Sequence, residues 1–89
     1  MDAHAVPLDS FPIGTRCRVV AMDETSENLL RLMEMGLIPG VSLVIERTAP
    51  FRSPFSLRLP GCTLAIRREE AQRVLVVPVN ENENPNSVV

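Results

Sequence analysis

Apolar and polar residues alternate along five short segments of the chain, with the period of two that a half-buried β-strand requires. In the first segment Cys17, Val19 and Ala21 are predicted to face the core, and the residues between them to face solvent. The five predicted strands are 15–22, 41–48, 55–59, 62–67 and 73–77. This pattern indicates a mainly β protein.

One segment, 23–35, follows a helical period instead, with Leu29, Leu32 and Met33 on one face. Serine, threonine and aspartate near its start can accept hydrogen bonds from the first free amides of a helix. Gly36 is expected to end this helix in a left-handed conformation. So short a helix is marginal alone, and we expect packing against the strands to hold it.

Proline and glycine divide the remaining chain. Pro39-Gly40 predicts a type II turn before the second strand, and Pro60-Gly61 joins the third strand to the fourth. Segment 49–54, with two prolines, is predicted as a loop, and 68–72 as a single helical turn. The elements together predict a small SH3-like five-stranded barrel, with a helical insertion after the first strand and a short helical turn before the last.

The chain of 89 residues has room for one domain. We expect a flexible N-terminal arm at 1–7, the folded domain at 8–79, and a disordered polar tail at 80–89, which has almost no apolar residue to bury.

Charge is distributed unevenly. The net charge is −2, but 14–79 holds nine arginines against seven acids, so the body is mildly cationic. We predict no nucleic-acid partner, because such proteins cluster their basic residues more strongly. A nucleic-acid-binding barrel is nevertheless one of the functions we consider, and a strongly salt-dependent affinity for DNA or RNA would favour it.

The start of the chain lacks the basic and apolar pattern of a signal peptide, and no run of 18 apolar residues occurs. We therefore expect a cytoplasmic protein that does not insert into the membrane. Cys17 and Cys62 are expected to be reduced thiols in the core.

Four spaced motifs resemble the FeoA family, whose members assist the membrane ferrous-iron transporter FeoB. The helix end reads Arg-Leu, then Met-Gly-Leu, then Pro-Gly, which is similar to the signature of that family. The matching segments are Leu8 with Phe11, Gly14 and Val19; 31–40; Ala49-Pro50 with Pro54; and 64–71 with Val74 and Val76. The order and spacing of the motifs carry the resemblance, because each motif alone is weak.

The resemblance implies a non-enzymatic adaptor that binds FeoB from the cytoplasm and modulates it. The alternative is a metal- or effector-sensing module, like the similar domains fused to iron- and manganese-dependent repressors. The chain offers no P-loop, nucleophile elbow or paired-acid cleft, and we predict no enzyme activity. A weak homodimer remains open.

Candidate partner-binding residues fall on three features: the loop at 49–54, the end of the helix with the turn after it, and the segment at 67–70. Each has a purely structural alternative. Aromatic and arginine side chains dominate many interfaces, and methionine adapts to irregular partners. Met35 and Leu37 are expected to be exposed, and they form an apolar patch if Phe51 lies close to them. The alternative for Phe51 is to fold back and cover the end of the barrel. The alternative for Arg67 and Arg68 is a solvated turn with weak ion pairs. The predicted partner-binding residues are Met35, Leu37, Pro39, Phe51, Arg52, Pro54, Arg67 and Arg68.

No intrinsic metal site or cofactor is expected, because no Cys-x-x-Cys or His-x-x-x-His spacing occurs. Asp2 and His4 form a weak surface candidate for an adventitious divalent ion such as zinc. The other candidate metal site is formed by Cys17 and Cys62, if they face each other across two strands. We prefer the alternative, in which both thiols are buried in the core.

Overall fold

One antiparallel sheet organises the protein. The computed structural model describes residues 4–48 and 55–79. Its strands are β1 (Val6–Pro7), β2 (Arg16–Met22), β3 (Ser42–Thr48), β4 (Phe55–Leu59), β5 (Cys62–Ile66) and β6 (Val74–Pro78). In space they follow the order β1-β6-β2-β3-β4-β5. Each neighbouring pair is antiparallel.

Short helical segments connect the strands. A 3₁₀ turn at Leu8–Ser10 follows β1, helix α1 (Glu27–Glu34) separates β2 from β3, and helix α2 (Arg68–Ala71) separates β5 from β6. The mainly β, SH3-like prediction is confirmed, including the helical insertion and the helical turn before the last strand. None of the helices in the described ranges is long and apolar enough to cross a membrane.

The core is entirely apolar within the described residues. Strand positions supply most of it through their period of two. Its buried members are Leu8, Cys17, Val19, Leu29, Leu37, Leu43, Ile45, Phe55, Leu57, Leu59, Leu64, Ile66, Ala71, Val74 and Val76.

The sheet differs from the predicted barrel at its two ends. Val6 and Pro7 lie in the expected flexible arm, but they form β1 and pair with Val76 and Leu75 of β6. Proline has no amide hydrogen to donate, and an edge strand tolerates it because some amides of such a strand have no neighbouring strand to pair with. Among 4–48 and 55–79 no ladder joins β5 to β1, so the sheet has six strands and two free edges instead of five closed strands. The expected tail at 80–89 lies outside the described residues.

Helix α1 begins four residues later than predicted. The Asp23 carboxylate accepts hydrogen bonds from the Thr25 hydroxyl at 2.6 Å and the Thr25 amide at 3.0 Å, which turns the chain before the helix. These bonds hold the pKa of Asp23 below its usual value. Ser26 is the actual N-cap, and its Oγ accepts from the Leu29 amide at 3.2 Å.

A β-bulge overturns the predicted inward orientation of Ala21. The register between β2 and β6 shifts between Val19 and Ala21, so Val20 is the extra residue. An extra residue reverses the alternation of side chains along a strand. Ala21 is therefore exposed, and Met22 packs against the core in its place.

Candidate functional site

The C-terminal end of α1 is closed by a Schellman motif. The Gly36 amide donates to the Met33 carbonyl, and the Leu37 amide donates to the Leu32 carbonyl, each at 3.1 Å. Gly36 has φ +114°, so the predicted left-handed end of the helix is confirmed. A Schellman motif turns the residue after its glycine back towards the helix.

That geometry overturns the predicted exposure of Leu37. Its side chain is fully buried, at 0% exposure, in the same core cluster as Leu29. The physical reason is the apolar contact that a Schellman motif makes between the residue after glycine and the last helical turn. Leu37 therefore belongs to the core and cannot itself touch a partner in the folded protein.

The turn that follows presents apolar side chains to solvent. The Val41 amide donates to the Ile38 carbonyl at 3.1 Å, which closes a turn across Pro39 and Gly40, and Gly40 has φ +97°. The Gly40 amide also donates to the Val19 carbonyl of β2 at 2.7 Å, so the turn is fixed to the sheet.

Three exposed residues form what we call the helix-end surface: Met35, Ile38 and Pro39. Met35 is 52% exposed and Ile38 is 44% exposed. The predicted exposure of Met35 is confirmed. Ile38 was not among the predicted site residues, although its place directly before the predicted Pro-Gly turn was a usable signal.

A polar groove lies beside α1, and we call it the α1–β5 groove. It has a volume of about 360 Å³. Its lining residues come from α1 on one side and from the end of β5 and the start of α2 on the other: Asn28, Arg31, Leu32, Ala65, Arg67 and Glu70. Of the predicted partner-binding residues, Arg67 lines this groove, and Arg31 lines it without having been predicted.

Arg67 and Arg68 have different surroundings. The Arg67 amide donates to the Glu70 carboxylate at 3.2 Å, which caps α2 and leaves the exposed guanidinium of Arg67 beside the groove. The Arg68 guanidinium lies 5.2 Å from the centre of the Phe55 ring and 4.0 Å from the Asp9 carboxylate. Arg68 thus contacts the domain's own residues, and Arg67 is the better placed of the two to meet a partner.

The two cysteines do not share an environment. Cys17 is buried, and burial raises the pKa of its thiol from 9.0 to about 12. Cys62 was predicted to be buried, but it is exposed because it lies at the very start of β5, beyond the core. Its Sγ lies 3.7 Å from the Met35 carbonyl oxygen, at the end of α1.

We predict that one thiol in the native chain reacts with an aromatic disulfide reagent. Cys62 should react within minutes and Cys17 only on unfolding, because a thiol with a raised pKa forms little thiolate near neutral pH. Ellman titration of the native and denatured protein checks this, with Cys62→Ser as the control that abolishes the fast reaction. Two fast thiols in the native wild type would contradict the burial of Cys17.

Several predicted residues do not enter this geometry. Phe51, Arg52, Pro54 and Asp2 lie outside the described residues, and His4 is exposed. Within the described ranges, no three histidine, cysteine or carboxylate residues cluster in a way that could hold a metal ion.

A second cleft of about 520 Å³ lies near the start of β2 and the end of β6. Phe11 and Arg16 contribute to it. It is remote in sequence from the helix-end surface, and no predicted site residue lines it.

Residues 6–78 match the family described as the FeoA domain. The solution structure of a FeoA-like protein from Clostridium acetobutylicum superposes with a TM-score of 0.77 at 30% identity, and covers 91% of this chain and 93% of that one. A manganese-dependent transcriptional repressor superposes with a TM-score of 0.76 at 19% identity, over 89% of this chain and 44% of the repressor. The likeness to the repressor is one of fold.

One curated relative is a fusion protein. It is the Fe(2+) transport protein A/Fe(2+) transporter FeoB fusion protein of Porphyromonas gingivalis, 25% identical over 75 residues. The match covers 84% of this chain but spans only 9% of the length of the relative.

Proposed function

Because this chain belongs to the FeoA family, we propose that it is a non-enzymatic accessory protein of ferrous-iron uptake that binds a FeoB-type transporter at its cytoplasmic face. The fusion relative is the main support, since its name joins both proteins in one chain. Covalent linkage keeps two modules at high effective concentration. A separate chain needs a binding surface to achieve the same association.

The helix-end surface is where we propose that the transporter binds. Met35 and Ile38 are large apolar side chains that are about half exposed, and the turn beneath them is hydrogen-bonded to β2. A fixed backbone lowers the entropy lost on binding, and a flexible methionine can fit an irregular partner surface. Arg67 and Arg31 line the neighbouring groove and supply the polar surroundings common at interfaces.

The proposal assigns no catalytic group and no resident cofactor. The high pKa of buried Cys17 makes it a poor nucleophile, and the Glu70 carboxylate already accepts the Arg67 amide. The domain would then act on its partner through binding energy alone. It can do so by favouring one conformation of the transporter over another.

Met35→Ala is expected to weaken binding to the purified cytoplasmic part of the FeoB-type transporter from the same genome by about tenfold or more, as for an interface hot spot. Ile13→Ala is the matched control, because Ile13 is 53% exposed and lies before β2, between Pro12 and Gly14 of the second cleft. Pull-down and titration measure the affinities, and circular dichroism verifies that both variants fold.

Equal loss of affinity in Met35→Ala and Ile13→Ala would mean that the helix-end surface is not the binding surface. Normal binding of Met35→Ala, with or without nucleotide, would have the same meaning. Phe51 and Arg52 remain predicted partner residues, and their alanine variants belong in the same series.

A second candidate function is metal or effector sensing, favoured by the fold shared with the manganese-dependent repressor. Calorimetric titration with Mn²⁺, Fe²⁺ and Zn²⁺ separates it from the adaptor function. We expect no saturable site, and adventitious zinc binding near His4 should disappear in His4→Ala. A dissociation constant near micromolar or tighter in that variant would favour sensing.

A further inference from the structure

The free edges of the sheet differ in their capacity to accept another strand. β1 consists of two residues, one of them Pro7, and a short edge containing proline resists pairing with another chain. β5 has five residues and contains no proline. Among the described residues, its only strand neighbour is β4. β5 is therefore the edge on which pairing with a further strand is chemically open.

The register of the β4–β5 hairpin shows which backbone groups face outward. Leu59 pairs with Cys62 across the two-residue turn Pro60-Gly61, and such a closing pair is hydrogen-bonded. Hydrogen-bonded and non-hydrogen-bonded pairs alternate in an antiparallel ladder. Thr63 and Ala65 therefore belong to the non-hydrogen-bonded pairs, and their amides and carbonyls point away from β4.

The α1–β5 groove lies at this outward-facing edge. Ala65, whose amide and carbonyl point away from β4, lines it. At the other end of β5, Cys62 Sγ approaches to 3.7 Å from the Met35 carbonyl oxygen, so helix and strand are close there. The α1–β5 groove lies further along the strand, at Ala65 and Arg67.

The groove favours a negatively charged occupant. Arg31 and Arg67 both line it and both are exposed. Within the described part of the chain neither forms an ion pair, whereas Arg58, Arg68 and Arg73 each lie within 4.0 Å of a carboxylate. The one carboxylate lining the groove, Glu70, already accepts the Arg67 amide. With two guanidinium groups against one carboxylate, the lining is net cationic and suits a carboxylate from outside.

We propose that an extended, carboxylate-bearing segment of the partner protein adds to the edge of β5 as a further strand. Its backbone pairs with the outward amides and carbonyls of Thr63 and Ala65. Its carboxylate lies between Arg31 and Arg67. Strand addition of this kind takes affinity from backbone hydrogen bonds and selectivity from the neighbouring side chains. The identity of the partner rests on the proposed function, whereas the mode of binding rests on the edge and the groove.

Amide hydrogen exchange tests the pairing directly. In the complex with the cytoplasmic part of the transporter, exchange at Thr63 and Ala65 should slow by about tenfold or more, because paired amides exchange only on opening. The amide of Val20, at the bulge of β2, is the internal reference and should not change. Unchanged exchange at Thr63 and Ala65 in a saturated complex would overturn the inference and leave the proposed function standing.

Ala65→Pro and Ala65→Ser form a matched pair for the backbone contribution. Proline removes the outward amide without removing a β4–β5 hydrogen bond, whereas serine keeps the amide. We expect Ala65→Pro to weaken the complex by about tenfold and Ala65→Ser by less than about threefold, as for loss of one well-placed hydrogen bond. Equal affinities of two folded variants would contradict the pairing.

Charge reversal tests the carboxylate and does not depend on the stability of the proline variant. Arg31→Glu and Arg67→Glu should each weaken binding by about tenfold, and more at low salt, because like charges would then meet in the groove. Arg16→Glu makes the same charge change at the second cleft and should have little effect. If all three variants behave alike, the groove does not select a carboxylate.

Two further outcomes separate the inference from the function on which it rests. Failure of the wild-type chain to form any complex would overturn both. Protection of Thr63 and Ala65 that grows with protein concentration in the absence of partner would assign the edge to a second copy of this chain. That result would overturn the proposed occupant.

Discussion

Leu37→Ala is expected to lower the free energy of unfolding by about 2–5 kcal/mol, the range for truncating a buried leucine. The side chain is fully buried and sits where the Schellman motif turns the chain back onto α1. Removing it leaves a cavity beneath the helix-end surface. In a domain of this size such a loss is a large fraction of the total stability.

Urea denaturation followed by circular dichroism measures this effect, with Met35→Ala as the control. Met35 is 52% exposed, so its truncation should change the free energy of unfolding by less than about 0.5–1 kcal/mol. A stable Leu37→Ala variant that fails to bind the transporter would make Leu37 a contact residue, contrary to its buried position.

Gly36→Val is expected to destabilise the domain by about 2 kcal/mol, because an L-residue pays about 1–2 kcal/mol in a left-handed conformation and β-branching adds to this cost. Gly36 has φ +114°. A Cβ placed there would lie 3.7 Å from Leu59 Cδ2, an ordinary contact, so the cost comes from the backbone and not from a clash. The melting temperature should fall by about 4–8 °C per kcal/mol.

Gly36→Asn separates backbone strain from simple loss of glycine, since asparagine tolerates positive φ better than other residues with a side chain. We expect its melting temperature to lie between those of the wild type and Gly36→Val. Thermal unfolding supplies all three values. Equal melting temperatures for the wild type and Gly36→Val would refute the left-handed end of α1.

Local pattern was enough to predict most of the fold. The alternating residues of β4 and β5 gave those strands within a residue of their observed limits. Gly36 and the Pro39-Gly40 turn were recognisable because positive φ demands glycine, and both positions have it. Such features depend on residues that are adjacent in sequence.

Features that depend on distant pairing were not predictable in the same way. β1 exists only because β6 offers an edge to two residues, and their own sequence carries no strand period. The bulge that exposes Ala21 arises from the register between β2 and β6. Cys62 has the inward parity of β5, yet its place at the strand end leaves it exposed.

The candidate site was predictable in part for the same reason. Met35 and Pro39 follow from the helix end and the turn, both of which are local. Leu37 was assigned to the surface because its burial requires the complete Schellman motif, although Gly36 already indicated that motif. Arg31 and Arg67 meet at one groove only after β5 has been placed beside α1.

Titration of the wild-type chain with the purified cytoplasmic part of the transporter from its own genome tests the central claim most directly. We predict a saturable, equimolar complex by calorimetry, weakened by Met35→Ala and unaffected by Ile13→Ala. Absence of binding at concentrations of about 100 μM, both with and without nucleotide, would contradict the account, because it would exclude even a weak adaptor complex.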